Sequence, residues 1–172
     1  KTREYTYVGR YAILPVANSM SAFARTYAVK GLSAQTIKQI FFHDLFADKA
    51  NEQKITAPYT TYTRLQKAGA PIVFAKYFKF EQKDITGKGI AGSDEHLLKA
   101  VLRDSTGVTY LPTPVIYAAN GSAVPGLTVI PVDLNGNDRV NEDERFYESW
   151  ATVSQRLSAK DARDVRNVPI EY

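Results

Sequence analysis

Two stretches of the chain carry residue types at spacings that could do chemistry. In Asp133-Leu-Asn135-Gly-Asn137-Asp-Arg139-Val-Asn141-Glu-Asp-Glu144, oxygen-bearing side chains stand at positions 1, 3, 5, 9 and 12 of a twelve-residue loop, with the branched apolar Val140 at position 8. This is the spacing a calcium loop of the EF-hand type needs, because Ca2+ takes six to eight hard oxygens and alternate residues of a tight loop can face one centre. Asp133, Asn135, Asn137, Asn141 and Glu144 would contribute side-chain oxygens and Arg139 its backbone carbonyl. Position 6, where glycine normally supplies a left-handed turn, holds Asp138, and two of the first three ligands are neutral Asn, which lowers the expected affinity. The same residues also read as an acidic Asn/Gly turn that caps a helix and holds no ion. On either reading the role is structural rather than catalytic.

The second stretch is Arg64-Leu-Gln66-Lys-Ala68-Gly69-Ala70-Pro71. A turn that follows a strand and opens a helix presents free backbone N–H groups and the positive end of the helix dipole, which together hold anions. Arg64 adds a planar, bidentate donor suited to phosphate or carboxylate. Taken alone, the segment also reads as a plain strand-to-helix loop with an exposed arginine.

The elements that must position these residues follow from periodicity and punctuation. Tyr5 to Val16 reads as a buried strand closed by a turn at Pro15-Val-Ala-Asn18. Ser33 is the N-cap of a helix whose apolar face is Ile37, Ile40 and Phe41. Ile55 to Leu65 has the Tyr/Thr composition of a strand, and Pro71 starts a helix through Ile72, Val73, Phe74 and Phe78. Gly87, Gly89 and Gly92 form a flexible approach to Ser93 and a helix with Leu97, Leu98, Val101 and Leu102 on its core face. Val108 to Leu111 is a strand, and Pro112 and Pro114 lead into Val115-Ile-Tyr117. A turn at Asn120-Gly121 predicts a hairpin between that segment and Leu127 to Val132. The last helix is expected from Glu142 to Leu157, with Phe146, Trp150, Val153 and Leu157 on one stripe, before a terminal strand at Val168 to Tyr172. Strands alternating with helices through about residue 111 predict an α/β class: a mixed sheet flanked by helices, with a C-terminal hairpin, calcium-type loop and helix over 112–172.

Composition narrows the function. With 172 residues, 44% hydrophobic and no cysteine, the chain can bury a core without disulfides and has no thiol chemistry. A net charge of +4 spread over 22 basic and 18 acidic residues is a poor electrostatic footprint for nucleic acid, which is not expected as a partner. No apolar stretch approaches the roughly 18 residues of a membrane span. His43 and His96 lack companions at ligand spacing and read as surface or capping residues, and no Gly-x-Ser-x-Gly nucleophile elbow occurs. Binding, not catalysis, is the expectation.

Several segments in order, Tyr11 to Asn18, Lys30 to Phe42, Tyr62-Thr-Arg64 with its Gly69 turn, Gly92 to Leu98, Gly107 to Tyr110 and Ile130 to Asn135, resemble the later part of the periplasmic phosphate-binding proteins of ABC importers. The resemblance implies a periplasmic-binding-protein-like lobe over residues 1–111, with 112–172 returning to an earlier first lobe that the 172 residues do not supply. It further implies an exported protein, periplasmic or at the cell surface, free or lipid-anchored, peripheral to the membrane, with an ABC permease as partner. In that family the strand-turn-helix carries an Arg, an Asp and a Ser-Gly-Thr run around the phosphate. Here Arg64 and Gly69 match, while Gln66 takes the Asp position, Ala68 the Ser position and Ala70 the Thr position. The family's Asp accepts the proton that phosphate retains and sulfate lacks, so Gln66 alters that discrimination, and two lost hydroxyls remove about 0.5–1.5 kcal/mol each. Two functions stand: an oxyanion-binding component of a phosphate-type importer using Arg64, Gln66, Ala68, Gly69 and Ala70, or a calcium-stabilised structural or interaction domain with a degenerate anion site.

Overall fold

The computed structural model describes residues 11–43, 55–133, 139–140, 149–157 and 170–171. Its frame is a mixed sheet flanked by helices. In chain order the elements are β1 (Tyr11–Asn18), α1 (Ala22–Lys30), α2 (Ala34–Phe41), β2 (Thr60–Arg64), α3 (Gly69–Tyr77), β3 (Lys88–Ile90), α4 (Asp94–Arg103), β4 (Gly107–Pro112), α5 (Thr113–Ile116), β5 (Leu127–Val129), α6 (Trp150–Leu157) and β6 (Ile170–Glu171). The strands lie in the order β3-β2-β4-β1-β5, with β6 also pairing β1. β2 runs parallel to β3 and β4, whereas β1 is antiparallel to β4, β5 and β6.

β1 and β4 form the centre because their side chains are apolar on both faces. Ala12 to Ala17 and all of β4 are buried. β1 continues through Pro15 to Asn18 instead of closing there: proline forfeits one donor, yet its carbonyl still accepts from Ile130 N–H. The buried hydroxyls at the centre are satisfied within the sheet. Thr109 Oγ1 donates to the Tyr62 carbonyl and the Tyr110 hydroxyl meets Thr63 Oγ1, each at 2.7 Å. Burial pushes the Tyr110 phenol up to about 12. The Tyr62 phenol rises to about 12 chiefly because it donates to the Asp104 carboxylate, which the same bond holds below its usual range.

Ser33 caps α2 as expected, accepting from Thr36 N–H, and Ile37, Ile40 and Phe41 are its buried face. Leu97 and Val101 of α4 are buried, with Leu98 and Leu102 half-buried. Four local expectations change. α1 is an unexpected helix, capped by Ser21 accepting from Ala24 N–H. The strand expected over 55–65 is confined to Thr60–Arg64. The glycine-rich approach to Ser93 contains β3, paired to β2, because glycine at 89 lets the Leu65 side chain cross it. The expected C-terminal hairpin is replaced. Thr113–Ile116 is a helical turn with Pro114 in its first positions, and β5 pairs with β1, while the Asn120-Gly121 turn closes only a Tyr117–Ala123 bridge. Of the last helix only Trp150–Leu157 lies in the described residues, with Val153 buried as expected, and of the terminal strand only Ile170–Glu171.

Between α1 and α2 the chain turns at Gly31, whose φ is +74°. An added Cβ would lie 2.8 Å from Val140 Cγ2. Gly31→Ala therefore meets both a backbone and a steric penalty, and we expect a loss of about 1–3 kcal/mol in urea unfolding, where a neutral result would contradict this account of the turn.

Candidate functional site

Three parallel strands end along one side of the sheet, and each runs into a helix: β3 into α4, β2 into α3, β4 into α5. The crevice outside the carboxyl ends of such strands is where α/β folds gather ligands, because helix N-termini converge there. Arg64 is the last residue of β2. Leu65 N–H bonds the Ile90 carbonyl at 3.0 Å, so the ends of β2 and β3 stay in register up to the turn.

α3 opens with Ala68 as N-cap, no side-chain cap bond and no acidic residue in its first turn. First-turn N–H groups have no intrahelical acceptor. Ala68 N–H points to Gln82 Oε1 at 3.4 Å, Ile72 N–H closes back on the Ala68 carbonyl at 3.3 Å, and Pro71 has none. The donors left are those of Gly69 and Ala70. Gly69 is exposed, Ala70 buried against the core.

α4 is held differently. Ser93 and His96 cap it reciprocally, with Ser93 N–H donating to His96 Nδ1 at 3.0 Å. Gly92 has φ +104°, and a Cβ there would come within 2.6 Å of His96 Nδ1, so only glycine lets the ring fold back. The expected capping role of His96 is what the geometry displays. The cap fixes the first turn of α4, and with it Asp94. Asp94 Oδ1 accepts from Arg64 Nη1 at 2.7 Å, with side chains 23% and 13% exposed. Arg64 Nε is buried and has no hydrogen-bond partner among the described residues.

Gln66 lies between the two helix starts. Its Oε1 accepts from Gly92 N–H at 3.3 Å and its carbonyl accepts from Gln82 Nε2 at 2.9 Å, leaving its own amide N–H groups as donors. Arg64, Gln66, Ala68, Gly69 and Ala70 thus share one turn, and the structure adds Asp94 and Gln82. Asp94 stands thirty residues from Arg64 in sequence. Its first-turn position on α4 was legible, but its partner was not, because nothing in the sequence says that β2 and β3 are neighbours.

Of the calcium-type loop, Asp133 and Arg139 fall in the described residues, whereas Asn135, Asn137, Asn141 and Glu144 lie outside them. Asp133 is buried and its N–H bonds the Leu32 carbonyl at 2.9 Å, while Val140 N–H reaches the Val29 carbonyl at 3.3 Å. The described start and middle of the loop are thus anchored beside the Gly31 junction. Among the described residues, no three His, Asp or Glu side chains group to hold a metal, and no helix is long and apolar enough to cross a membrane.

No protein-family model matches the chain, and no curated protein sequence matches it. The chain is similar in structure to a possible phosphate binding protein from Planctomyces limnophilus DSM 3776, with a TM-score of 0.53 and 16% identity over 73% of this chain. It spans 42% of that protein's length. At this identity the similarity speaks for the fold, an α/β mixed sheet with flanking helices of the kind the sequence predicts.

A partly buried ion pair is worth more than an exposed one, and removing one partner leaves the other charge uncompensated. Asp94→Asn is expected to cost roughly 2 kcal/mol in chemical denaturation. A loss under a few tenths would mean that Arg64 does not depend on Asp94 for its placement.

Proposed function

We propose that the chain binds an oxyanion at the Arg64 turn, as the solute-binding component of a phosphate-type ABC importer or one lobe of it. The observation that carries this reading is Arg64, held at the end of β2 beside the uncapped first turn of α3. The fold shared with a possible phosphate binding protein supports it. In binding, the guanidinium offers the N–H groups that Asp94 leaves free to one ligand oxygen, and the N–H groups of Gly69 and Ala70 meet another along the helix axis. Gln66 donates from its amide.

Asp94 supplies the carboxylate that position 66 lacks. A carboxylate beside the ligand accepts a hydrogen bond from an oxyanion that keeps a proton and repels one that is fully ionised. Phosphate keeps a proton at neutral pH and sulfate does not, so Asp94 favours phosphate. Exported, and peripheral to the membrane, the loaded protein would close on its anion and hand it to a permease.

The second reading, a calcium-stabilised structural or interaction domain, is favoured by the burial of Asp133 at the first position of the loop. There Ca2+ would fasten the loop onto the Gly31 junction through Asp133 and the Arg139 carbonyl, with Asn135, Asn137, Asn141 and Glu144 completing the oxygen set.

Separate calorimetric titrations with phosphate, sulfate and Ca2+ distinguish the two. The proposal predicts saturable heat with phosphate, binding of sulfate at least tenfold weaker, and loss of the phosphate signal in Arg64→Ala. Heat with Ca2+ and none with either oxyanion would overturn it in favour of the second reading.

A further inference from the structure

Beside the anion turn lies a cavity of about 390 Å³, lined by Lys67, Ile72 and Lys76 on one side and the Phe80–Lys83 segment on the other. Gln82 joins the two places: the same side chain that faces this cavity accepts from Ala68 N–H and donates to the Gln66 carbonyl. Lys67 is the residue between them. The cavity therefore begins at the turn and continues along the outer face of α3, past Ile72 and Lys76, which stand one helical turn apart.

Its chemistry is mixed in a specific way. The lining surface is mainly apolar, and Ile72 remains 45% exposed on a helix whose inner face is fully buried. Phe80 provides a firm wall because its ring stacks on Phe42 at 4.5 Å. Three lysines surround it against one carboxylate, and Glu81 is already paired with Lys83 at 2.9 Å. A bare tetrahedral oxyanion fills little of this space and gains nothing from an isoleucine and a phenyl wall. The volume lies within the range of small-molecule sites, about 300–1,000 Å³.

We infer that the ligand of the Arg64 turn is a phosphate monoester whose apolar substituent occupies this cavity. The inference rests on the oxyanion reading of that turn. The phosphoryl group keeps the donors of Arg64, Gly69 and Ala70, its ester oxygen points past Gln82, and the substituent lies on Ile72 and Phe80. Bound as its monoanion, the ester keeps a proton for Asp94 to accept, while Lys67 and Lys76 lend long-range attraction and cover the substituent with their methylene stems.

Phenyl phosphate and orthophosphate, titrated calorimetrically at about pH 6, where both keep a proton, into the full chain and into Ile72→Ala, test this. Ile72 is partly exposed on a helix surface, so the variant should keep the melting temperature of the parent. Phenyl phosphate is expected to bind about tenfold more tightly than orthophosphate, the return on burying part of one ring, and Ile72→Ala should erase most of that advantage while leaving orthophosphate unchanged. Orthophosphate binding without an advantage for the ester would overturn this inference and leave the oxyanion site standing. So would an advantage that persists in Ile72→Ala, or an equal loss for both ligands. Binding of neither ligand would overturn the site and the inference together.

Discussion

Phe74 is the contact on which the geometry of the anion turn depends. Its ring is fully buried, stacked on Tyr110 of β4 at 4.5 Å and nearly parallel to it, with Phe41 and Phe42 at 5.5 Å and Phe78 at 5.4 Å. Burying such a ring stabilises by about 1.5–3 kcal/mol, and each well-placed aromatic neighbour adds roughly 0.5–1.5 kcal/mol. These terms exceed anything the short α3 helix gains from its own backbone, since isolated helices of this length are marginal. The stack sets the rotation of α3 about its axis. Ala70, Pro71 and Ala75 therefore face inward with Phe74, while Ile72 and Lys76 face out and Gly69 is presented at the end of β2. The position of the first-turn donors is a consequence of core packing.

The electrostatics of the turn work by direction more than by net charge. Arg64 and Asp94 cancel, and Lys67 in the turn is offset by Glu95 in the first turn of α4, so an anion gains from directed guanidinium and backbone N–H groups rather than from net charge. Asp94 in turn is placed by a cap that only Gly92 permits, which makes a glycine in the approach to α4 part of the same arrangement as an arginine in β2. The core constrains one half of this arrangement and local capping the other. Both halves meet because β2 and β3 are parallel neighbours with adjacent carboxyl ends.

The sequence was most informative where local chemistry decides the structure. Ser33, Ser93 and Pro71 announced helix starts, and Ile37, Ile40 and Phe41 a buried stripe. It was silent where pairing decides. α1 has its apolar residues at Phe23, Ala24 and Tyr27 with an exposed Val29, a weak stripe that the core accepts because Phe23 and Tyr27 pack at 4.7 Å. β3 has two residues of a strand and a glycine, and exists because β2 offers it a parallel edge. The Asn120-Gly121 turn predicts a hairpin for β5, which pairs instead with β1, more than a hundred residues earlier. For the same reason Arg64, Gln66 and Gly69 were visible as a turn, whereas Asp94 and Gln82, which come from other elements, became part of it only in three dimensions.

Titration of uniformly 15N-labelled protein with orthophosphate, followed by NMR at the Gly69 and Ala70 amides and the Arg64 Nε–H, addresses the central claim most directly. The account predicts that these three signals move together and saturate at one concentration, because one anion meets both amides and the guanidinium on which Nε–H reports. Phosphate that leaves all three unmoved, or that moves amides only at other sites, would contradict it.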